Sequence, residues 1–169
     1  MLTGFWFCEF SLTREKVSQK DNKTKIMAKL MDANMKKVHF NNELGLEIES
    51  FDETGSYPEA SFIYRKKDTH INNYDAIHGG IIASVFDVAM GLSSVALTNR
   101  MVTTADISLS YLRPAMGDLF RIKVEIGHVG QNLVNCTAKL YSINGEEEIL
   151  CATSLGNYFV LDIPLMIEE

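Results

Sequence analysis

One long apolar segment constrains the fold of this chain more than any other feature. Across residues 79–97 the only charged side chain is Asp87. A helix that is apolar nearly all round is buried, and an unpaired carboxylate buried with it would cost several kcal/mol or become protonated. Asp87 therefore needs a partner. Either it forms a local hydrogen bond, with Ser84 or Ser94, or it lines a cleft as a base or nucleophile.

The start of this segment is unusual for a helix. Gly79 and Gly80 follow His78 directly, where better helix formers are preferred. Glycines leave the first backbone N–H groups of a helix uncovered, so that a ligand oxygen can approach them. Together with the helix dipole, these groups suit an anion or a developing oxyanion. The alternative explanation is a tight loop-to-helix turn with close packing.

Short alternating runs on both sides of the helix predict strands. Two runs precede it and four follow it as an antiparallel meander, with Asn144-Gly145 as a hairpin signal. One helix can cover one face of such a sheet, which leaves the other face solvated or packed against another subunit. The predicted strands are residues 44–48, 60–64, 106–111, 120–126, about 133–143 and about 148–161.

Charge and cysteine content argue against several classes of protein. A net charge of −6 disfavours a nucleic-acid binder, which needs a concentrated basic face. The three cysteines, Cys8, Cys136 and Cys151, have neither paired spacing nor neighbouring histidines, so we expect buried thiols and no metal site.

The termini and the apolar runs bear on location. Residues 1–10 lack the basic residues and cleavage site of a signal peptide. The best apolar segment contains Asp87, whereas a membrane span needs roughly 20 uncharged residues. We therefore expect a cytoplasmic protein with no membrane partner.

The chain has the length of one domain with extensions. Residues 14–25 are too polar to join a core, and the apolar spacing within 26–40 predicts a short amphipathic helix. We expect an N-terminal extension over residues 1–40, partly disordered or helical, a folded domain over 41–163 and a C-terminal tail over 164–169.

A composite of motifs resembles a known enzyme family. Residues 72–80 read Asn-Asn-Tyr-Asp-Ala-Ile-His-Gly-Gly, an acid follows the His by nine residues, and residues 103–115 form a Thr-rich strand ending in Arg-Pro-Ala. Over about residues 43–161 the chain resembles the hotdog acyl-CoA thioesterases of the 4-hydroxybenzoyl-CoA thioesterase superfamily, phenylacetate-degradation type. The resemblance implies an α+β hotdog fold, in which a six-stranded antiparallel sheet wraps around one long central helix. It also implies hydrolysis of acyl-CoA to free acid and CoA, with no metal or other cofactor.

The resemblance further implies roles for individual residues. The Gly79 N–H would bind the thioester carbonyl, with His78 shaping the turn, and Asp87 would be the nucleophile or general base. Spacing selects Asn72 to orient the carbonyl or the attacking water, with Asn73 as its competitor, and Thr104 to position water. The remaining expected substrate contacts are Gly80, Phe86, Met90, Leu112 and Arg113.

Two positions depart from the family pattern. Asp75 stands where a Gly is common, and Gln131 stands where an Arg or Lys often meets the CoA phosphates. Arg113 or the basic run 65–67 is the alternative source of positive charge, although an exposed charged run is often just a solvated edge.

Helix geometry makes a separate prediction about assembly. Gly79 and Asp87 are eight residues apart, which is roughly 12 Å along one helix. A base must come within about 3 Å of the reacting group, or act through one water. Asp87 should therefore act on substrate held by the partner subunit's Gly79, which predicts an obligatory dimer. The family pairs protomers edge to edge, often with two dimers in a tetramer.

Two other functions fit the same fold. A hotdog hydratase or dehydratase uses a catalytic His and an acid in a different arrangement, and His78 is in the wrong context for it. A non-catalytic acyl-CoA sensor would bind the same ligand without releasing thiol.

Overall fold

The structure, a computed structural model, describes residues 24–25, 27–30 and 39–165, and the first two of these ranges are helical. Most of the predicted N-terminal extension and C-terminal tail, Cys8 included, lies outside these residues, as does most of the helix predicted over 26–40. The elements of residues 39–165 are α1 His39–Leu44, β1 Leu46–Asp52, β2 Glu59–Arg65, a 3-10 turn Asp68–His70, α2 Gly79–Thr98, β3 Arg100–Tyr111, β4 Leu119–Val129, β5 Leu133–Asn144 and β6 Glu147–Pro164.

The six strands form one antiparallel sheet in the order β1-β2-β4-β5-β6-β3. Strands β4, β5 and β6 form the predicted meander, but placing β3 in it was wrong. Helix α2 has 20 residues and so spans about 30 Å, enough to carry the chain across the sheet. Strand β3 therefore joins the far edge beside β6, and β4 returns to pair with β2.

Helix α2 is the centre of the core. Ten of its 20 residues are buried, and it packs against strands β2 to β6. Alternate residues of β4 and β5 are buried beneath it, as half-covered strands require. This confirms the predicted α+β hotdog architecture.

The face of the sheet away from α2 is charged. Arg121 forms a two-pronged ion pair with Glu49 and also contacts Glu148, which Lys123 approaches at 2.7 Å. The Arg121 hydrogen bond holds the pKa of Glu49 below its ordinary value. The one helix therefore covers one face only, as the sequence predicts.

By length and composition alone, α2 could cross a membrane. In this fold more than half of its most apolar window is buried inside the protein. The segment is therefore the core helix of the sheet.

The first strand begins later than predicted. Leu44 is the last residue of α1, and β1 starts at Leu46. Gly45 between them has φ +67°, a conformation that glycine adopts at low cost and that turns the chain from helix to strand. The hydrophobic alternation of Leu44 and Leu46 thus crosses an element boundary.

Candidate active site

His78 caps the N-terminus of α2. Its Nδ1 accepts a hydrogen bond from the Gly80 N–H at 3.0 Å, and its carbonyl accepts from Ile81 and Ile82. The Gly79 N–H donates to no residue in the described part of the chain. The capping pattern therefore leaves Gly79, the first residue of the helix, as the amide available to a ligand oxygen.

The loop before the helix is a small closed unit that presents Asn72. Ile71 bridges Ile77, and the Asn72 Oδ1 accepts hydrogen bonds from the backbone N–H groups of Tyr74 (2.9 Å) and Ala76 (3.3 Å). The Asn72 carboxamide oxygen is thus committed to the turn, which leaves its NH₂ group as the part that could meet a substrate.

Asp75, which departs from the family pattern, lies in the same loop. Its φ is +59°, in the left-handed region that glycine favours and that Asp tolerates better than most residues. The position where the family commonly has glycine is therefore one with a conformational requirement. Asn73, the predicted competitor of Asn72, is exposed and does not line the cavity at the helix start that is described next.

A cavity of about 570 Å³ opens beside the helix start. Tyr111 closes over Gly79: its hydroxyl donates to the Gly79 carbonyl at 2.8 Å, and a Cβ on Gly79 would lie 3.4 Å from the ring. The cavity lining consists of Asn72, Tyr74, Ala76, Ile77, Gly79, Gly80, Ile82, Tyr111, Leu112, Arg113, Pro114 and Ala115. The cavity thus brings together five of the predicted residues, Asn72, Gly79, Gly80, Leu112 and Arg113.

Asp87 is partly exposed two turns further along α2. Its Oδ1 accepts hydrogen bonds from the Thr104 hydroxyl at 2.7 Å and from the Tyr158 hydroxyl at 3.2 Å. Its Oδ2 accepts none from the described residues. One oxygen is therefore held in place and the other is open to a reactant.

The local partners considered for Asp87 are engaged elsewhere. Ser84 donates its hydroxyl to the Gly80 carbonyl, and Ser94 donates to the Met90 carbonyl. Of the two explanations for Asp87, the structure therefore does not show the local hydrogen bond from Ser84 or Ser94. A serine hydroxyl within a helix commonly donates to the backbone carbonyl four residues earlier, as both do here.

Tyr158 is the site residue that the sequence did not reveal. Besides Asp87 Oδ1, its hydroxyl reaches the Asp87 carbonyl at 3.0 Å. Burial, and then the charge of Asp87, raise the pKa of Tyr158, which keeps the phenol protonated and a donor. Tyr158 faces Thr104 across the β3–β6 ladder, so only the register of two distant strands identifies it.

Two predicted contacts lie in the core. Phe86 and Met90 are both 0% exposed and line no part of the cavity at Gly79. Both side chains belong to the hydrophobic core between α2 and the sheet.

The two candidate sources of positive charge differ in whether an acidic residue pairs with them. Each residue of the run 65–67 has an acidic neighbour: Arg65 faces Glu47, Lys66 faces Asp118 and Lys67 faces Glu43. Arg113 is exposed at the cavity and forms no ion pair with any described residue. Of the two sources, Arg113 is the one near Gly79 whose charge is not already matched.

His70 holds the loop that precedes α2, and the sequence did not reveal this residue either. It is 4% exposed, its Nδ1 lies 2.8 Å from the Tyr64 hydroxyl, and its carbonyl accepts from the His78 N–H at 2.9 Å. Burial, with the nearby positive charge of Lys67, lowers the pKa of His70. A neutral ring whose Nδ1 accepts from Tyr64 satisfies this geometry, and the Tyr64 pKa, raised to about 12 by burial, keeps that phenol protonated.

The described residues contain no cluster of three or more His, Cys, Asp or Glu side chains that could hold a metal ion. Cys136 and Cys151 are free and buried, as the sequence predicts, and burial raises the pKa of Cys136 to about 11.

Several known proteins are similar to this chain in sequence. Residues 74–149 match the family model of the Thioesterase superfamily. The medium/long-chain acyl-CoA thioesterase YigI of Escherichia coli (strain K12) is 27% identical over 139 residues, which cover 72% of this chain and 84% of that protein.

Solved structures share the fold. The PaaI protein of the E. coli phenylacetic acid degradation operon superposes with a TM-score of 0.71 at 17% identity, covering 85% of this chain and 96% of that one. A thioesterase family protein from Silicibacter pomeroyi has a TM-score of 0.68 at 23% identity, covering 80% and 98%. The chain therefore has the hotdog fold, and in sequence and fold it is similar to thioesterases of the thioesterase superfamily.

Proposed function

We propose that the protein hydrolyses an acyl-CoA thioester to the free acid and CoA, with Asp87 as the reacting carboxylate. The observation that carries the proposal is the Asp87 side chain, which has one oxygen held by Thr104 and Tyr158 and the other open. Because no described residue hydrogen-bonds the second oxygen, it is available to a reacting water or to a thioester carbon. The name of the 27% identical relative supports acyl-CoA as the substrate class.

The reacting parts are too far apart to form a site within one protomer. Along α2, Gly79 and Asp87 are separated by roughly 12 Å, whereas a base acts within about 3 Å or through one water. We infer that each site combines Asp87 of one protomer with the partner subunit's Gly79.

Strand β3 offers the surface for such a dimer. It is an edge strand of the sheet, so one row of its backbone groups pairs with no other strand among the described residues. Two residues of β3 hydrogen-bond the reacting parts: the Thr104 hydroxyl donates to Asp87, and the Tyr111 hydroxyl donates to the Gly79 carbonyl. If two copies of β3 pair antiparallel about a twofold axis near residues 107–108, Thr104 lies close to the partner's Tyr111. Each Asp87 then approaches the partner's Gly79, as a symmetric interface requires.

The chemistry follows from these positions. As a base, Asp87 takes a proton from water while the water oxygen attacks the thioester carbon; as a nucleophile, its open oxygen attacks directly and water then cleaves the anhydride. The carbonyl oxygen gains negative charge, which the Gly79 N–H and the helix dipole stabilise. The C–S bond breaks, and CoA leaves as the thiolate and takes up a proton. The reaction proposed here uses no metal or redox cofactor.

The remaining residues would support these steps. The Asn72 NH₂ can orient the carbonyl or water, and Arg113 can meet the CoA phosphates at the cavity mouth. A cytoplasmic location and a further pairing of dimers into tetramers remain predictions.

Thiol release from a panel of acyl-CoA substrates tests the function. Asp87→Asn and Asp87→Ala should lower kcat by a factor of about 100 or more, since each removes the reacting oxygen or its charge. The exposed Glu125→Gln on the outer face of the sheet is the matched control and should retain wild-type rates. Near-normal hydrolysis by Asp87→Asn would refute the role of Asp87, and stoichiometric binding without thiol release by the wild type would indicate a sensor.

A further inference from the structure

The ring of Tyr158 lies between two glycines. Tyr158 is 1% exposed. A Cβ on Gly91, in α2, would lie 3.4 Å from one edge of the ring, and a Cβ on Gly156, in β6, would lie 3.0 Å from the opposite edge. The ring therefore occupies space that side chains at these two positions would otherwise fill. Gly91 and Gly156 together form what we call the glycine seat.

The glycine seat has no spare room on the side of β6. A contact of 3.0 Å is closer than a Cβ atom approaches a ring carbon, so an alanine at position 156 would force a neighbour to move. The same Cβ would lie 3.0 Å from Met90 Cε and 3.2 Å from Met90 Sδ. Met90 and Tyr158 are both buried in a close-packed core, so neither can turn out into solvent. The position of the ring therefore requires glycine at 156.

The glycine seat determines where the Tyr158 hydroxyl lies. Gly91 is four residues after Asp87, so the two lie one turn apart on the same side of α2. From its place beside Gly91, the phenol reaches the preceding turn, 3.0 Å from the Asp87 carbonyl oxygen and 3.2 Å from Asp87 Oδ1. A hydroxyl has one hydrogen, so these two acceptors share it. Since 3.2 Å is already long for an O–H···O bond, a small shift of the ring would remove the bond to the carboxylate.

We propose that the glycine seat fixes the Tyr158 hydroxyl on Asp87 and so holds the carboxylate in its reacting orientation. Tyr158 and the two glycines are then positioning residues, and the proposal rests on the proposed function, in which Asp87 Oδ2 reacts. Thr104 and Tyr158 are partners across the β3–β6 ladder, so Oδ1 accepts hydrogen bonds from two neighbouring strands. Thr104 is exposed, whereas Tyr158 is buried, so water competes less for the bond from the phenol.

A double-mutant cycle in the thiol-release assay tests the proposal. Tyr158→Phe removes the hydroxyl and keeps the ring, Gly156→Ala displaces the ring and keeps the hydroxyl, and the double variant carries both changes. Tyr141→Phe, which removes a hydroxyl from the outer face of the sheet, is the matched control. For each variant, kcat and KM are measured with the acyl-CoA of the substrate panel that the wild type hydrolyses fastest. Circular dichroism and thermal unfolding check the fold.

We expect Tyr158→Phe to lower kcat by about tenfold or more and to leave KM within about twofold of the wild type. The reason is that the lost hydrogen bond orients the reacting group and does not contact the substrate. Gly156→Ala should lower kcat by about threefold or more in the wild type, but by less than about twofold in the Tyr158→Phe background. In that background the hydroxyl through which the glycine acts is already absent. Tyr141→Phe should keep the wild-type kcat and KM.

A wild-type kcat for Tyr158→Phe, or a change in KM alone, would overturn the role of the phenol. An equal loss of kcat from Gly156→Ala in both backgrounds would overturn the glycine seat, because the glycine would then act on the fold and not through the hydroxyl. If Gly156→Ala does not fold, Gly91→Val takes its place in the cycle with the same expected result, since its side chain presses on the ring from the helix. If the wild type released no thiol from any substrate, the proposed function would be overturned, and the role of the seat with it.

Discussion

Thr104 donates its hydroxyl hydrogen to Asp87 Oδ1 across a distance of 2.7 Å, although the two residues are 17 positions apart. This bond joins the core helix to the edge strand of the sheet. It turns the Asp87 side chain so that the second carboxylate oxygen stays open. The reacting geometry therefore depends on strand β3 as much as on the helix.

Thr104→Val should slow the reaction and leave the fold intact. The substitution keeps the shape of the side chain but removes a hydrogen bond to a charged group, which contributes about 1.5–3 kcal/mol. We expect kcat to fall by roughly tenfold to a hundredfold. Thr153→Val, a threonine on β6 that does not contact Asp87, is the control in the same thiol-release assay. A wild-type kcat for Thr104→Val would show that Tyr158 alone suffices to hold the carboxylate.

Gly79→Pro should remove the oxyanion donor without disrupting the helix. Gly79 is the first residue of α2, where proline is well tolerated, and His78 has ψ 135°, which suits a residue before proline. The expected result is a loss of kcat of about a hundredfold with an unchanged circular dichroism spectrum. Gly79→Ala keeps the N–H, and its Cβ would be 3.4 Å from Tyr111, an ordinary contact. If the proline variant were as active as the alanine variant, the Gly79 N–H would not be the donor.

Mixing two inactive variants should restore activity if the site is shared between protomers. A mixed dimer of Asp87→Asn and Gly79→Pro retains one intact pair, Asp87 of the second variant with the partner's Gly79. Random exchange makes half of the dimers mixed with one working site each, so about a quarter of wild-type activity should return. Thiol release is followed after co-refolding, with each variant alone as the control. No recovery from dimers shown to be mixed by mass would contradict the composite site.

The free energy of unfolding should decrease as the pH is lowered, because of His70. Its folded pKa lies below its ordinary value of 6.5, so the unfolded chain takes up a proton that the folded chain resists. The stabilisation is fully present above pH 6.5 and is lost as the pH falls from there towards the folded pKa. Thermal unfolding between neutral and mildly acidic pH should show this slope in the wild type and a smaller one in His70→Gln. The exposed His128→Gln serves as control, and equal slopes for all three proteins would rule out His70 as the cause.

The features predicted correctly from sequence are those encoded within short stretches. The apolar run around Asp87 predicts a buried helix, and alternation predicts six strands, because both periodicities depend on neighbouring residues. The motif of His78, Gly79 and Asp87 points to a thioesterase before any contact is known. Leu112 and Arg113, named from sequence as candidate substrate contacts, line the same cavity as Gly79.

The features that were missed or wrong depend on long-range pairing. Strand β3 sits beside β6 because α2 carries the chain across the sheet, and no local pattern specifies that crossing. Tyr158 and His70 each reach the site through a partner on another element, so their sequence neighbourhoods show nothing unusual. Phe86 and Met90 were assigned to the substrate pocket because the rotation of the helix against the sheet was unknown.

By itself, the sequence determined the core helix, its lone carboxylate and the glycine start that leaves one amide uncovered. These follow from side-chain polarity and backbone freedom along a single segment. Tertiary structure alone decided that Thr104 and Tyr158 hold one oxygen of Asp87 and that the other remains open. The physical reason is register: a hydrogen bond between distant elements forms only where the pairing of strands β3 and β6 places both groups beside the same turn of the helix.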